Sequence, residues 1–142
     1  MKKQTGIIIA ILVLMLLLVA FAVTQNVQKQ KKVMAYNGTY EKHYNQIVYG
    51  TDVASIMNRA MNENEQNFVE QDEKGYYIDN NTNSIKIYIK LQAEGDFYPM
   101  ERIVSLGITE FVKNFNIEDF KCTQINYHKD TGLVSEVYYE TI

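Results

Sequence analysis

The sequence predicts an α+β protein, with one N-terminal transmembrane helix followed by a small domain in which helices pack on one face of an antiparallel sheet. Three observations predict it. Gly6 to Val23 is an 18-residue run without a charge. Val53, Ile56, Met57, Ala60 and Met61 recur at helical spacing, while Ile85, Ile87, Ile89 and Leu91 alternate strictly with Lys86, Tyr88 and Lys90. Periods of 3.6 and of 2 within one chain of 142 residues call for a single domain holding both kinds of element.

The N-terminal run is the strongest signal. As a helix rising about 1.5 Å per residue it would be roughly 27 Å long, close to the hydrocarbon thickness of a bilayer, and a helix satisfies its own backbone polar groups as lipid demands. The organisation that follows is a basic flank over 1–5, a transmembrane helix over 6–24, a helical stalk over 25–49 and an α+β domain over 50–142. Lys2 and Lys3 oppose Lys29, Lys31 and Lys32 in the positive-inside count. A five-residue flank is easily retained, so the N-terminus is expected in the cytoplasm and the body outside the cell membrane. A cleaved secretory signal is the rival, since Ala20-Phe21-Ala22 has the small-residue pattern of a processing site. The apolar run continues through that triplet without a polar break, which favours a retained anchor.

Gln25 to Val33 is polar and basic, without Gly or Pro, so the helix can continue outward. Tyr36, Tyr40, Tyr44 and Ile47/Val48 keep helical spacing, with Gly38 as a weak point. These tyrosines are expected to pack on the domain; as a docking stripe they would be joined by the adaptable pair Met57 and Met61, whose ordinary use is core filling. Gly50-Thr51-Asp52 reads as a helix start, Thr51 capping the free amides and Asp52 facing the positive end of the dipole. Arg59 and Asn62-Glu63-Asn64-Glu65 are expected on the wet side or at the helix exit.

Glu65 to Gly75 reads as a polar loop. Tyr76-Tyr77-Ile78 and Ser84–Leu91, separated by Asp79-Asn80-Asn81-Thr82-Asn83, then read as a β-hairpin. The same turn opens like a calcium loop, but Ser84 stands where Gly is needed and Lys90 where a bidentate Glu is needed, so Asx turn chemistry explains it. After Ala93-Glu94-Gly95-Asp96, Pro99 suits the first turn of a helix whose apolar residues run from Met100 to Phe115, with Gly107 able to split it. Phe120–His128 and Leu133–Ile142 read as two strands around Lys129-Asp130-Thr131-Gly132, where Gly132 supplies a positive φ.

All 17 acids lie after residue 40, and five of the 14 basic residues lie in the first 32, so the body carries a net charge of about −8. Such a body repels phosphate backbones, and no basic stripe interleaved with aromatics offers a nucleic-acid face. A lone Cys122 excludes an intrachain disulfide and multi-cysteine zinc sites, and His43 and His128 make a thin ligand set. No cofactor, metal or catalytic residue is therefore assigned. Cys122 reads as a buried small hydrophobe, and His128, six residues along the same strand, would be roughly 20 Å away. His43 is free to approach Cys122 through the fold. No nucleophile elbow, Walker loop, dinucleotide fingerprint or zincin motif is present.

Lys2-Lys3-Gln4-Thr5-Gly6 before Ile7 resembles the short basic leader, ending in Gly, of type IV pilins and pseudopilins. The resemblance covers about the first quarter of the chain, and implies processing after Gly6 and a hydrophobic helix that packs in a filament core. It departs at Ile11, where most pilins place Glu. Three functions follow in order: a non-catalytic, single-pass membrane protein whose extracytoplasmic domain binds another protein or assembles into an envelope complex, through Tyr36, Tyr40, Tyr44, Met57 and Met61; a pilin-like filament subunit; and a secreted or anchored enzyme, which a pocket joining Cys122 or a His to a carboxylate would revive. A composition rich in Asn, Lys, Ile and Tyr fits an AT-rich, low-GC bacterial genome.

Overall fold

The computed structural model describes residues 2–92 and 95–142, with the side chains of Lys2 and Lys3 left out. The predicted loop residues Ala93 and Glu94 lie outside the described residues. The chain divides into two compact units, one up to Ala35 and one over Tyr36–Ile142. The fold is α+β.

The first unit is helical throughout as part of α1 (Lys2–Glu41). Its apolar side chains, from Ile7 to Val23, are exposed on every side. The hydroxyl of Thr24, at the polar end of this run, donates to the carbonyls of Ala20 and Phe21, so it adds no unpaired group to the helix surface.

The second unit begins with the last residues of α1. Gly38 does not interrupt the helix, which ends only after Glu41 in tight turns: His43 N–H donates to the Tyr40 carbonyl at 3.1 Å and Tyr44 N–H to that of Glu41 at 2.9 Å. Asn45, at φ 57°, then turns the chain into β1 (Ile47–Tyr49). The predicted stalk over 25–49 is thus helical only to Glu41, and the compact domain starts at Tyr36 rather than at 50. Helical spacing of Tyr44, Ile47 and Val48 was misleading because three positions are too few to fix a period, and the left-handed turn at Asn45 falls between them.

α2 (Gly50–Gln66) follows the predicted apolar stripe, burying Val53, Ala54, Ile56, Met57 and Ala60. The cap differs. The Ncap is Tyr49, whose N–H donates to Asp52 Oδ2 at 3.2 Å, while Thr51 lies inside the first turn. Asp52 therefore holds the helix start, satisfying an amide and facing the positive dipole end. Gly50 is buried where a Cβ would stand 1.9 Å from the Phe115 carbonyl oxygen, so only glycine allows this approach of α2 to the end of α3 (Met100–Phe115). Gly107, at φ 109° and ψ 109°, breaks α3 as the sequence predicted.

Five strands form one mixed sheet in the order β1-β4-β5-β2-β3, with β2 Lys86–Lys90, β3 Tyr98–Pro99, β4 Asp119–Tyr127 and β5 Val134–Thr141. β4 and β5 form the predicted hairpin around Gly132 at φ 70°. The other predicted hairpin does not form. β2 instead runs parallel to β5, from Lys86 opposite Glu136 to Lys90 opposite Glu140, so the sheet is not wholly antiparallel. Tyr77 makes an isolated bridge to Gln71, and Ile78 N–H donates to the Glu70 carbonyl.

The reason lies in side chains that tie the Asp79–Ser84 turn to the β4–β5 turn. His128 Nε2 donates to the Ser84 carbonyl at 2.7 Å and Thr131 Oγ1 to that of Thr82, also at 2.7 Å. From α2, Asn64 holds the next residue, donating to the Ile85 carbonyl at 2.7 Å and accepting from its N–H at 2.8 Å. Asn64 is fully buried, not on the wet side of α2. These bonds start β2 beside β5.

The register sets two faces. Ile87 opposite Val137 and Ile89 opposite Tyr139 share the core face, packed with Met57, Ala60, Ile103 and Phe111 from α2 and α3. Lys86, Tyr88 and Lys90 share the other with Glu136, Tyr138 and Glu140. There Tyr88 and Tyr138 stack with centroids 4.8 Å apart, and Phe97 meets Tyr138 edge-on at 5.2 Å.

Candidate functional site

The feature most directly tied to a function is the apolar part of α1. Its best 18-residue window has a mean hydropathy of 3.3 with none of it buried, so it is long and apolar enough to cross a membrane. Gly6 opens this run, with nothing within 4 Å of where a Cβ would stand, so neither packing nor φ requires glycine at that position.

The five residues proposed as a docking surface separate in the structure. Tyr40 and Met57 are fully buried and belong to the core. Tyr36 and Met61 are partly buried against that core, the Tyr36 ring lying 5.5 Å from Tyr40. Only Tyr44, 48% exposed, presents substantial surface. Tyr40 donates to Glu63 Oε2 at 2.5 Å, and Arg59 Nε donates to Glu63 Oε1 at 2.8 Å, which fastens the end of α1 to α2. Burial holds the Tyr40 hydroxyl well above the usual phenol range, so it stays a neutral donor to that carboxylate. Asn37 adds a second fastening, donating to the Gly132 carbonyl at 2.8 Å and accepting from Val134 N–H at 2.9 Å.

The structure does bring His43 near the strand that carries Cys122. His43 Nδ1 lies 2.8 Å from the Tyr139 hydroxyl, and Tyr139 stands opposite Cys122 in the β4–β5 register. Both Tyr139 and Cys122 are fully buried. Burial pushes the Cys122 thiol up to about 11, so at neutral pH the sulfur is protonated and weakly nucleophilic. Desolvation, aided by Lys42, lowers His43 below the usual imidazole range.

A second group escaped sequence reasoning. Asp79, Ser84 and His128 have the residue types of a nucleophilic triad, yet the wiring differs. Ser84 Oγ donates to Asp79 Oδ1 at 2.9 Å and accepts from Asn80 N–H at 3.2 Å, while His128 gives its Nε2 proton to the Ser84 backbone carbonyl. The serine hydroxyl thus faces the carboxylate and not the imidazole, and Ser84 is buried. Asn80 Oδ1 accepts from the N–H groups of Thr82, Asn83 and Ser84, the Asx turn expected from the sequence. The group fastens a turn.

Open hollows lie on the domain. One of about 590 Å³ runs between Thr39 and Lys42 on one side and Asn58, Arg59 and Glu63 on the other. A hollow of about 390 Å³ is lined by Glu41, Tyr44, Ile125 and Tyr127. Another of about 400 Å³ lies beside Asp79 and His128. Among the described residues no three His, Cys, Asp or Glu side chains converge as metal ligands. Comparison with known families, curated proteins and solved structures finds no match.

Proposed function

We propose that this chain is a single-pass membrane protein whose helix over 6–24 holds a non-catalytic, extracytoplasmic α+β domain at the membrane surface, for binding another protein or for assembly of an envelope complex. The observation that carries the reading is that every large apolar side chain of the run, from Ile7 to Val23, is exposed. Each large apolar side chain kept in water costs about 1.5–3 kcal/mol relative to burial, and the domain completes its own core from Tyr40 onward without them. Lipid supplies the missing burial.

The state of three groups supports the non-catalytic part of the reading. The Cys122 thiol is protonated, the Ser84 hydroxyl is turned toward a carboxylate, and the Asn80 side chain bonds to backbone of its own turn. Two treatments of native membranes test the reading. The full-length chain should stay in the pellet after alkaline carbonate washing, and protease added to intact cells should remove the domain. Release by carbonate would overturn the anchor; protection from external protease would overturn the orientation.

One observation favours the pilin-like alternative. α1 carries the apolar run into the domain as a single helix to Glu41, the element such a subunit would bury in a filament core. Under that reading Gly6→Ala abolishes processing, whereas a retained anchor is indifferent to it.

A further inference from the structure

β4 is the longest strand of the sheet, and one side of it is only half used. β1 pairs with Asp119, Phe120 and Lys121, and Tyr44 bridges to Cys122. Beyond that, among the described residues, no strand covers the outer side of Thr123-Gln124-Ile125-Asn126-Tyr127. An uncovered edge of this kind offers unpaired N–H and C=O groups to another strand, and natural domains usually protect it with lysine, proline or a covering element. This segment has no charge, no proline and no glycine.

We propose that this edge pairs with the same edge of a second copy, antiparallel about Ile125. It deepens the assembly reading above by naming the surface, and does not depend on which side of the membrane the domain faces. Antiparallel self-pairing sets Ile125 opposite Ile125 of the second copy and Gln124 opposite Asn126, while Thr123, a bulge in the β4–β5 register, ends the ladder. Every opposed pair is neutral, and the amides face amides. In a body with a charge of about −8, an uncharged strip is where two copies approach with least repulsion.

Side chains agree with the backbone. Ile125 packs on the core, and with Tyr44, Tyr127 and Glu41 it lines the 390 Å³ hollow beside the edge. Tyr127 is 46% exposed and gives its hydroxyl proton to Glu41 Oε1 at 2.8 Å, which leaves its ring as the wall of that hollow. The two-fold axis of an antiparallel strand pair is perpendicular to the sheet, so both hollows open on the same side of the joined sheet and their apolar walls meet along the seam. A pairing centred on three residues makes a small interface, and confinement of both copies to one membrane raises their effective concentration.

The test is sedimentation of the full chain in mild detergent over a range of protein concentrations, comparing the native sequence with two double variants. Gln124→Lys with Asn126→Lys sets lysine opposite lysine twice and should weaken dimerisation at least tenfold. Gln124→Glu with Asn126→Lys sets opposite charges together and should restore it. The variants share the loss of the Asn126–Glu136 bond at 2.7 Å but differ at Gln124, whose amide donates to Asn126 Oδ1 at 3.0 Å within the strand, so the melting temperature of each is measured beside its sedimentation, and a contrast that merely follows the melting temperature overturns the proposal. A native chain that stays monomeric, a dimer insensitive to the lysine pair, or a failure of the opposite-charge pair to rescue overturns the proposal. Pairing of this edge with a different protein while the native chain is monomeric overturns it as well. None of these results touches the anchor, which the carbonate wash tests separately.

Discussion

Replacing Asn64 by Leu should destabilise the domain by about 2–6 kcal/mol, although the two side chains are similar in volume. Asn64 is fully buried and its amide closes a pair of bonds with Ile85, 2.7 Å to the carbonyl and 2.8 Å from the N–H. Ile85 precedes β2, so those groups have no place in the ladder. Leucine leaves no cavity but orphans one buried donor and one buried acceptor, each costing about 1–3 kcal/mol. Against a total stability of about 5–15 kcal/mol that is a large share. Urea unfolding measures it as a fall in the midpoint at unchanged slope. A loss below about 1 kcal/mol would refute the reasoning, because it would mean that water reaches Ile85. Asn64→Asp sharpens the test. The buried carboxyl has its pKa raised in the folded state, so this variant is least stable at high pH and recovers as pH falls toward the unfolded value of about 4, where a protonated oxygen can donate to the Ile85 carbonyl.

Three other outcomes are expected. Gly50→Ala should cost about 3 kcal/mol or more, read as a lowered melting temperature, because the new Cβ meets backbone at Phe115 and not a side chain that can turn away. Cys122, buried and with its thiol pushed up to about 11, should resist a thiol reagent at pH 8 until the protein is unfolded in urea; rapid native labelling would contradict its burial. Asp79 has its carboxyl held below the usual range, first by the Asn81 N–H and then by Ser84, so it contributes stability above the unfolded pKa that is lost as pH falls through the lower folded value. Asp79→Asn should therefore flatten the stability profile on the acid side, below about pH 4.

What could be read in advance was what depends on local pattern. The apolar run, the α2 stripe, the alternation of Ile85, Ile87 and Ile89, the break at Gly107 and the turn at Gly132 are each set by residues within a few positions of one another. Long-range side-chain bonds escaped it. Nothing near Asn64 in sequence announces Ile85, and nothing near Ser84 announces His128, 44 residues on, yet these bonds turn an expected hairpin into a parallel pairing with β5. The docking residues were only partly legible for a related reason. Tyrosine and methionine at helical spacing mark a face without saying what covers it, and Tyr40 and Met57 prove to be covered by the domain itself. The neutral outer edge of β4 needed the strand order, since a segment reading Thr-Gln-Ile-Asn-Tyr shows neither that it pairs with β5 on one side nor that β1 stops short on the other.

The central claim is that the apolar helix is retained as an anchor, and intact mass with N-terminal sequence of the protein from its native membrane tests it most directly. The account predicts a chain beginning at Met1 with the whole of α1 attached. A start at Ile7 carrying a methylated amine would contradict it in favour of a filament subunit, and a start at Val23 would contradict it in favour of a released domain.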